Sequence, residues 1–319
     1  MNFADRVLAA ERRIRPHVRE TPLLESPGLS AMAGARIWLK LENLQITGSF
    51  KLRGALSKVL ALTDAEKARG VVTASTGNHG AATAYAGRIA GIVPTVFVPH
   101  GAARTKLERI RSLGAVVEFH GEDSADTERH ARAVAERTGQ VFVSPYNDWD
   151  VMAGQGTIGV ELLRQCPSLD AVVIAVGGGG LIGGIAGYLK ASRGSIEIVG
   201  CQPVNSAVMA KSVEAGTILD LPSLPTLSDG TAGGVEKDTI TLEFCRTKVG
   251  CYDLVDEAAI EDGVRLAFNE ERLVVEGAAG LAIASALRIA PGFAGRHVAV
   301  VLCGGNIGAD IWCGIMNDR

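Results

Sequence analysis

Apolar residues along this chain fall into short dense runs, separated by longer stretches in which they recur every three or four positions. The runs "IWLKLE" (37–42), "VVTA" (71–74), "PTVFV" (94–98), "AVVEF" (115–119), "AVVIAV" (171–176), "IEIVG" (196–200) and "HVAVVLC" (297–303) are rich in β-branched residues and predict strands. Segments 77–90, 103–113, 123–138, 151–165 and 181–192 carry the helical period between them. Strands that are apolar throughout are buried on both faces. The pattern therefore predicts an α/β protein with open parallel sheets and helices on both faces. The segment "AVVIAVGGGGLIGGIAGYL" (171–189) carries no charge, but its four successive glycines break it into strand, loop and helix and argue against a membrane span. "PSLPTLSDGTAGG" (222–234) is long and turn-rich, and is expected beside a site or a domain edge.

Composition narrows the class. With 319 residues the chain has room for two domains. A net charge of −3 and 5% aromatic residues provide neither a basic surface nor many stacking platforms, which argues against nucleic acid or a membrane surface as partner. The six cysteines form no CxxC pair, so neither a zinc site nor a disulfide framework is expected. The N-terminal "MNFADRVLAAERRIRPHVRE" is amphipathic and lacks a signal-peptide core, and the protein is expected in the cytoplasm. Glycine is unusually frequent, at 39 residues, and much of it is clustered where a backbone must turn hard or approach another group closely.

Four clusters carry candidate chemistry. In "ITGSFKLRGA" (46–55), Lys51 follows a Gly48-Ser49 turn and the bulky Phe50, with Arg53 and Lys40 close in sequence. Desolvation by Phe50 and repulsion from the two cations would each lower its pKa and free the amine for attack on a carbonyl, although a solvated lysine at a helix start is the commoner case. "TASTGNHG" (73–80) closes a strand and opens a helix, so its hydroxyls and free N–H groups can seat a carboxylate or phosphate, or simply cap the helix. In "VGGGGLIGG" (176–184), Gly177, Gly178, Gly179 and Gly180 can form an anion nest. Gly178, Gly180 and Gly183 also satisfy GxGxxG, but Gln202 stands where a dinucleotide site wants an acid. Finally, Cys303 ends the last apolar strand ahead of Gly304, Gly305 and Asn306, where a thiol could face a heteroaromatic nitrogen.

An amine, a carboxylate seat, a glycine cradle and a neutral strand-end partner are the parts needed to hold pyridoxal phosphate. The order and wording of "TPL" (21–23), "KLENLQITGSFKLRGA" (40–55), "STGNHG" (75–80), "AGQGTIGVELL" (153–163), "GGGGL" (177–181), "EGAAG" (276–280) and "CGGN" (303–306) resemble the fold-type II pyridoxal-phosphate enzymes, in the branch of threonine/serine dehydratases and serine racemases. The resemblance implies that Lys51 links covalently to the cofactor aldehyde, with Phe50 flanking the ring and Asn78 bonding its hydroxyl. It also implies that Gly177 to Gly180 and Leu181 receive the phosphate, that Glu276 lies beside the ring, and that Cys303 faces its nitrogen. Ser75, Thr76, Gly77, Asn78 and His79 would hold the substrate carboxylate.

The implied reaction is dehydration and deamination of L-threonine and L-serine to a 2-oxo acid and ammonia, with Lys51 and Thr76 as catalytic residues. Another β-hydroxy amino acid (3-hydroxyaspartate, phenylserine, a hydroxyectoine-derived substrate) and serine racemisation are the alternatives. Racemases of this branch carry serine at the position of Thr76, whose extra methyl counts against racemisation. Gln202 and Val208 occupy places where relatives hold a divalent cation with acids, so no metal is expected there. The chain stops soon after "CGGNIG", and no appended regulatory domain is expected. A homodimer is expected, with a large cofactor-binding domain (1–48 and 148–319), a small mobile one (49–147) and the cofactor in the cleft between them.

Overall fold

The structure is a computed structural model and describes residues 2–317. Among the described residues, strands build two sheets, each mainly parallel. One has six strands: β1 (Leu23–Glu25), β2 (Arg36–Lys40), β7 (Ala171–Ala175), β8 (Glu197–Pro203), β9 (Cys251–Val255) and β10 (His297–Val301), in the spatial order β1-β2-β10-β7-β8-β9. The other has four: β3 (Val71–Ala74), β4 (Thr95–Val98), β5 (Val116–Phe119) and β6 (Val141–Phe142), in the order β5-β4-β3-β6. Only β1 pairs antiparallel, with β2. At the centre of the larger sheet Val300 lies between Leu39 and Val173, and all three are buried.

All seven apolar runs form strands. Those not expected are β1, β6 and β9, and the reason is physical. β6 has two residues, β1 has three that are mostly exposed, and β9 is an edge strand with only Val255 buried. An edge strand half open to water leaves no dense apolar run to read. The five expected helices appear as Asn78–Ala90, Arg104–Ser112, Ser124–Thr138, Trp149–Gln165 and Gly180–Ser192.

The helix Lys51–Ala61 joins the two halves. Its Leu52, Ala55, Leu56 and Val59 are buried with Val71 and Val143 of the four-stranded unit. Its other side runs against Trp149–Gln165 at backbone distance, because a Cβ on Gly154 would stand 2.4 Å from the Arg53 carbonyl oxygen. No larger residue fits that crossing. Parallel sheets present ligand-facing loops at the C-terminal ends of their strands. The residues following β3, β6, β7 and β10 all line one cleft.

Candidate active site

Lys51 is held by a loop that could not form without its glycine. Gly48 has φ +75°, in the left-handed region, and a Cβ there would lie 2.6 Å from the Asn306 side-chain oxygen. Ser49 then bridges Gly304, and the Phe50 N–H donates to the Cys303 carbonyl at 3.0 Å. The helix starts at the next residue, so Lys51 enters the cleft beside the C-terminal end of β10. Its Nζ donates to the Pro145 carbonyl at 2.9 Å and lies 5.2 Å from the Phe50 ring centre. Burial lowers its pKa from the ordinary 10.5 to about 8, against the opposing pull of Cys303 and Glu276.

Arg53 and Lys40 do not contribute to that shift as expected. Both are fully buried, but in a separate cluster: Arg53 donates to Glu42 at 2.7 and 2.8 Å and to Glu161 at 2.8 and 2.9 Å, while Lys40 donates to Glu161 at 2.6 Å. Their charges are spent on carboxylates. Desolvation alone accounts for the lowered amine.

Ser75, Thr76, Gly77 and Asn78 sit half-buried on the cleft wall, where β3 gives way to the helix Asn78–Ala90. Free N–H groups and the positive end of the helix dipole face the cavity there. His79 is buried, and its Nε2 donates to the Val143 carbonyl at 2.8 Å. Burial, reinforced by Lys51, drops its pKa to about 3, so the ring stays neutral. With its ring donor used, what His79 can still offer a carboxylate is its backbone N–H.

Asn78 donates to both oxygens of Glu276, at 3.0 and 2.9 Å, and Cys303 Sγ lies 3.9 Å from the same carboxylate. Burial raises the pKa of Glu276, which the Asn78 and Asn306 hydrogen bonds oppose. Burial, aided by Glu276, also pushes the Cys303 thiol well up and keeps it neutral.

Opposite them, Gly177 to Gly180 end β7 and open the helix Gly180–Ser192. A Cβ on Gly178 would meet the Tyr146 ring at 2.4 Å, and one on Gly180 would meet Tyr146 Cβ at 2.8 Å. Gly179 has φ +84° and would collide with Thr241 and Cys245. Thr241 closes the loop by donating to the Gly178 carbonyl at 2.7 Å. The loop cannot carry side chains, and its first helical N–H groups have no acceptor within the helix, so they point as an anion cradle.

Lys51, Ser75 to His79, the four glycines, Leu181, Glu276 and Cys303 line a single cavity of about 930 Å³. Every residue expected to hold the cofactor or substrate, Phe50 included, lines it. The cavity also takes in Tyr146, Asp229 to Glu236, Arg109 and Asn306, to which sequence reasoning assigned no role. The turn-rich segment had flagged Asp229 to Gly234 by position. Asn306 stood inside "CGGN", but nothing local marked Arg109. Gln202, at the rejected dinucleotide and metal positions, is buried and braces its surroundings: it donates to the Val176 carbonyl at 3.0 Å and accepts from the Ala210 N–H at 2.7 Å.

The site fits pyridoxal phosphate: a desolvated amine, a side-chain-free anion cradle and a neutral strand-end thiol all open onto one cavity. Residues 14–304 match the family of pyridoxal-phosphate dependent enzymes, and the chain belongs to that family, with pyridoxal phosphate as its cofactor. It is 38% identical to an L-threonine ammonia-lyase of Thermotoga maritima over 97% of this chain and 76% of that protein. It is 37% identical to a beta-hydroxyaspartate dehydratase of Paracoccus denitrificans over 95% and 96%. Among solved structures, maize serine racemase superposes with a TM-score of 0.92 at 32% identity, covering 98% of this chain and 96% of that one. The protein is thus a pyridoxal-phosphate enzyme among dehydratases and racemases, with an amino acid as its small-molecule substrate. Among the described residues no helix is long and apolar enough to cross a membrane.

Proposed function

We propose that the protein dehydrates L-threonine and L-serine by β-elimination, after which the imine takes up water and releases ammonia to give 2-oxobutyrate or pyruvate. The observation that carries this reading is the desolvated Lys51 amine, bonded to a carbonyl rather than a carboxylate, in the same cleft as the Ser75–Asn78 wall. Bound cofactor supplies an electron sink that acidifies the substrate Cα–H bond. Lys51 in its neutral form takes that proton, and its low pKa keeps a usable fraction of neutral amine near pH 7. The hydroxyls of Ser75 and Thr76, with the N–H groups of Gly77 to His79, hold the substrate carboxylate. Gly177 to Leu181 would hold the phosphate and Asn78 the ring hydroxyl, and Glu276 and Cys303 would border the ring.

Cys303, kept neutral by burial, would offer a ring nitrogen beside it no charged partner. Such a setting would suit a reaction in which a leaving hydroxyl promptly takes up the electrons. The proton removed from Cα and the departing hydroxyl leave as water, and hydrolysis of the remaining imine releases ammonia. The unit 49–147 would move as a lid that excludes water, and the protein would act as a cytoplasmic homodimer, which light scattering and cell fractionation would check.

A 2-oxo acid assay across a panel of β-hydroxy amino acids tests the reading. Turnover of threonine and serine supports it; absence of any 2-oxo acid, or conversion of L-serine into D-serine alone, overturns it. A second reading, elimination from 3-hydroxyaspartate, is favoured by Lys106 and Arg129 on the cavity lining and by the 37% identical dehydratase. It requires the same panel to show that substrate preferred.

A further inference from the structure

Three cationic side chains of the four-stranded unit reach across the cleft. Lys106 approaches Asp229 at 3.8 Å and Arg132 pairs with Glu236 at 2.9 Å. Arg109 differs, because among the described residues no carboxylate pairs with it. Its guanidinium instead donates to two neutral acceptors of the other half, the Thr47 carbonyl at 2.8 Å and Asn306 Oδ1 at 2.7 Å.

Those two acceptors lead directly into the site. Thr47 precedes the glycine turn that aims Lys51. Asn306 Nδ2 donates to the Thr47 carbonyl at 3.0 Å and to Asn78 Oδ1 at 2.5 Å. Asn78 Nδ2 in turn donates to both oxygens of Glu276, and the Asn306 N–H donates to the same carboxylate at 3.2 Å. The direction of this chain is forced. A guanidinium only donates, so it faces the Asn306 oxygen; a carbonyl only accepts, so it faces the Asn306 NH2. The second amide hydrogen then fixes the Asn78 oxygen, which turns the Asn78 NH2 inward. The backbone makes room for it: a Cβ on Gly304 would stand 2.5 Å from Glu276, and one on Gly48 would strike Asn306.

We propose that Arg109 is a positioning residue for the reaction: from the four-stranded unit it clamps Thr47 and Asn306, and through Asn306 it holds the Asn78 amide with its NH2 toward Glu276, on the side of the cleft where the cofactor ring would lie. Docking of the helix Arg104–Ser112 is thereby coupled to completion of the site. This inference rests on the pyridoxal-phosphate elimination reading above.

The test uses the cofactor-loaded enzyme and the variants Arg109→Ala, Arg109→Lys, Asn306→Ala and the Arg109→Ala/Asn306→Ala double, with Arg111→Ala on the exposed part of the same helix as control. Arg109→Ala is expected to lower kcat by about 10- to 100-fold with a smaller change in KM, as for a misplaced site group. The absorption band of the bound cofactor should shift in the same direction as in Asn306→Ala, since the ring hydroxyl would lose the same donor. The double variant should lose little more than the worse single one, because both act through one chain of bonds. Arg109→Lys should recover only part, since a lysine lacks the rigid fork that spans two acceptors. Unchanged kcat and absorption in Arg109→Ala, or strictly additive losses in the double variant, would overturn the proposal. If the wild type makes no 2-oxo acid, the elimination reading fails separately, and the absorption band and the cofactor affinity of the apoprotein still decide the role of Arg109.

Discussion

Lys51 and Arg53 stand two residues apart on one helix, and the protein treats their charges in opposite ways. Arg53 points away from the cleft into a cluster with Glu42, Glu161 and Lys40, where every one of these side chains is fully buried. Burial opposes its charge, but the two carboxylates outweigh burial and hold the guanidinium above its ordinary pKa. Lys51 points into the cleft, where a carbonyl is its hydrogen-bond acceptor and no carboxylate comes within ion-pair distance among the described residues. Its pKa falls to about 8. Pairing locks a buried charge in place, whereas desolvation without pairing keeps the proton labile. The first arrangement fixes the helix, and the second leaves its leading residue free to react. The two depend on each other, since the helix that aims Lys51 is anchored by Arg53.

The largest expected effect separates the two directly. Lys51→Ala should cut 2-oxo acid formation by at least about 10³-fold. The apoprotein should meanwhile keep its circular dichroism and keep or raise its Tm, because an amine that is costly to bury has been removed.

Glu161→Ala should do the reverse. It leaves the buried Lys40 with no carboxylate and Arg53 with Glu42 alone, and should cost about 3–5 kcal/mol in denaturant unfolding. Arg53 and Lys40 outweigh the effect of burial on Glu161 and hold its pKa below the ordinary 4.5. The contribution of the cluster is therefore complete above that pH and is lost as the pH falls through the lower folded value. A wild-type protein that loses no more stability than the Glu161 variant on going from pH 6 to pH 3 would break the comparison.

Gly178→Ala should cost about 1–3 kcal/mol in cofactor affinity, read by titrating the apoprotein, because its Cβ lands on the Tyr146 ring. The smallest effect concerns reactivity. Modification of Lys51 in the apoprotein by an aldehyde should rise with pH around a midpoint near 8, as the neutral amine forms, whereas the buried, paired Lys40 should stay unmodified over the same range.

What could be read along the chain was whatever neighbouring residues decide. Dense β-branched runs gave the seven principal strands. The glycines at 177–180 and the turn before Lys51 marked where backbone must serve as ligand or hinge. Motif order placed Ser75 to His79, Glu276 and Cys303 in one site. Those signals are local because strand burial, left-handed turns and helix N-termini are set within a few residues.

Only the tertiary structure decided who neutralises whom. Arg53 reads as a cation beside Lys51, yet it belongs to Glu161, 108 residues further on. Arg109 is an unremarkable helix arginine until folding brings it to Asn306, 197 residues away. Charges and amides pair through space, at distances fixed by how the two sheets meet, and no periodicity along the chain encodes that meeting.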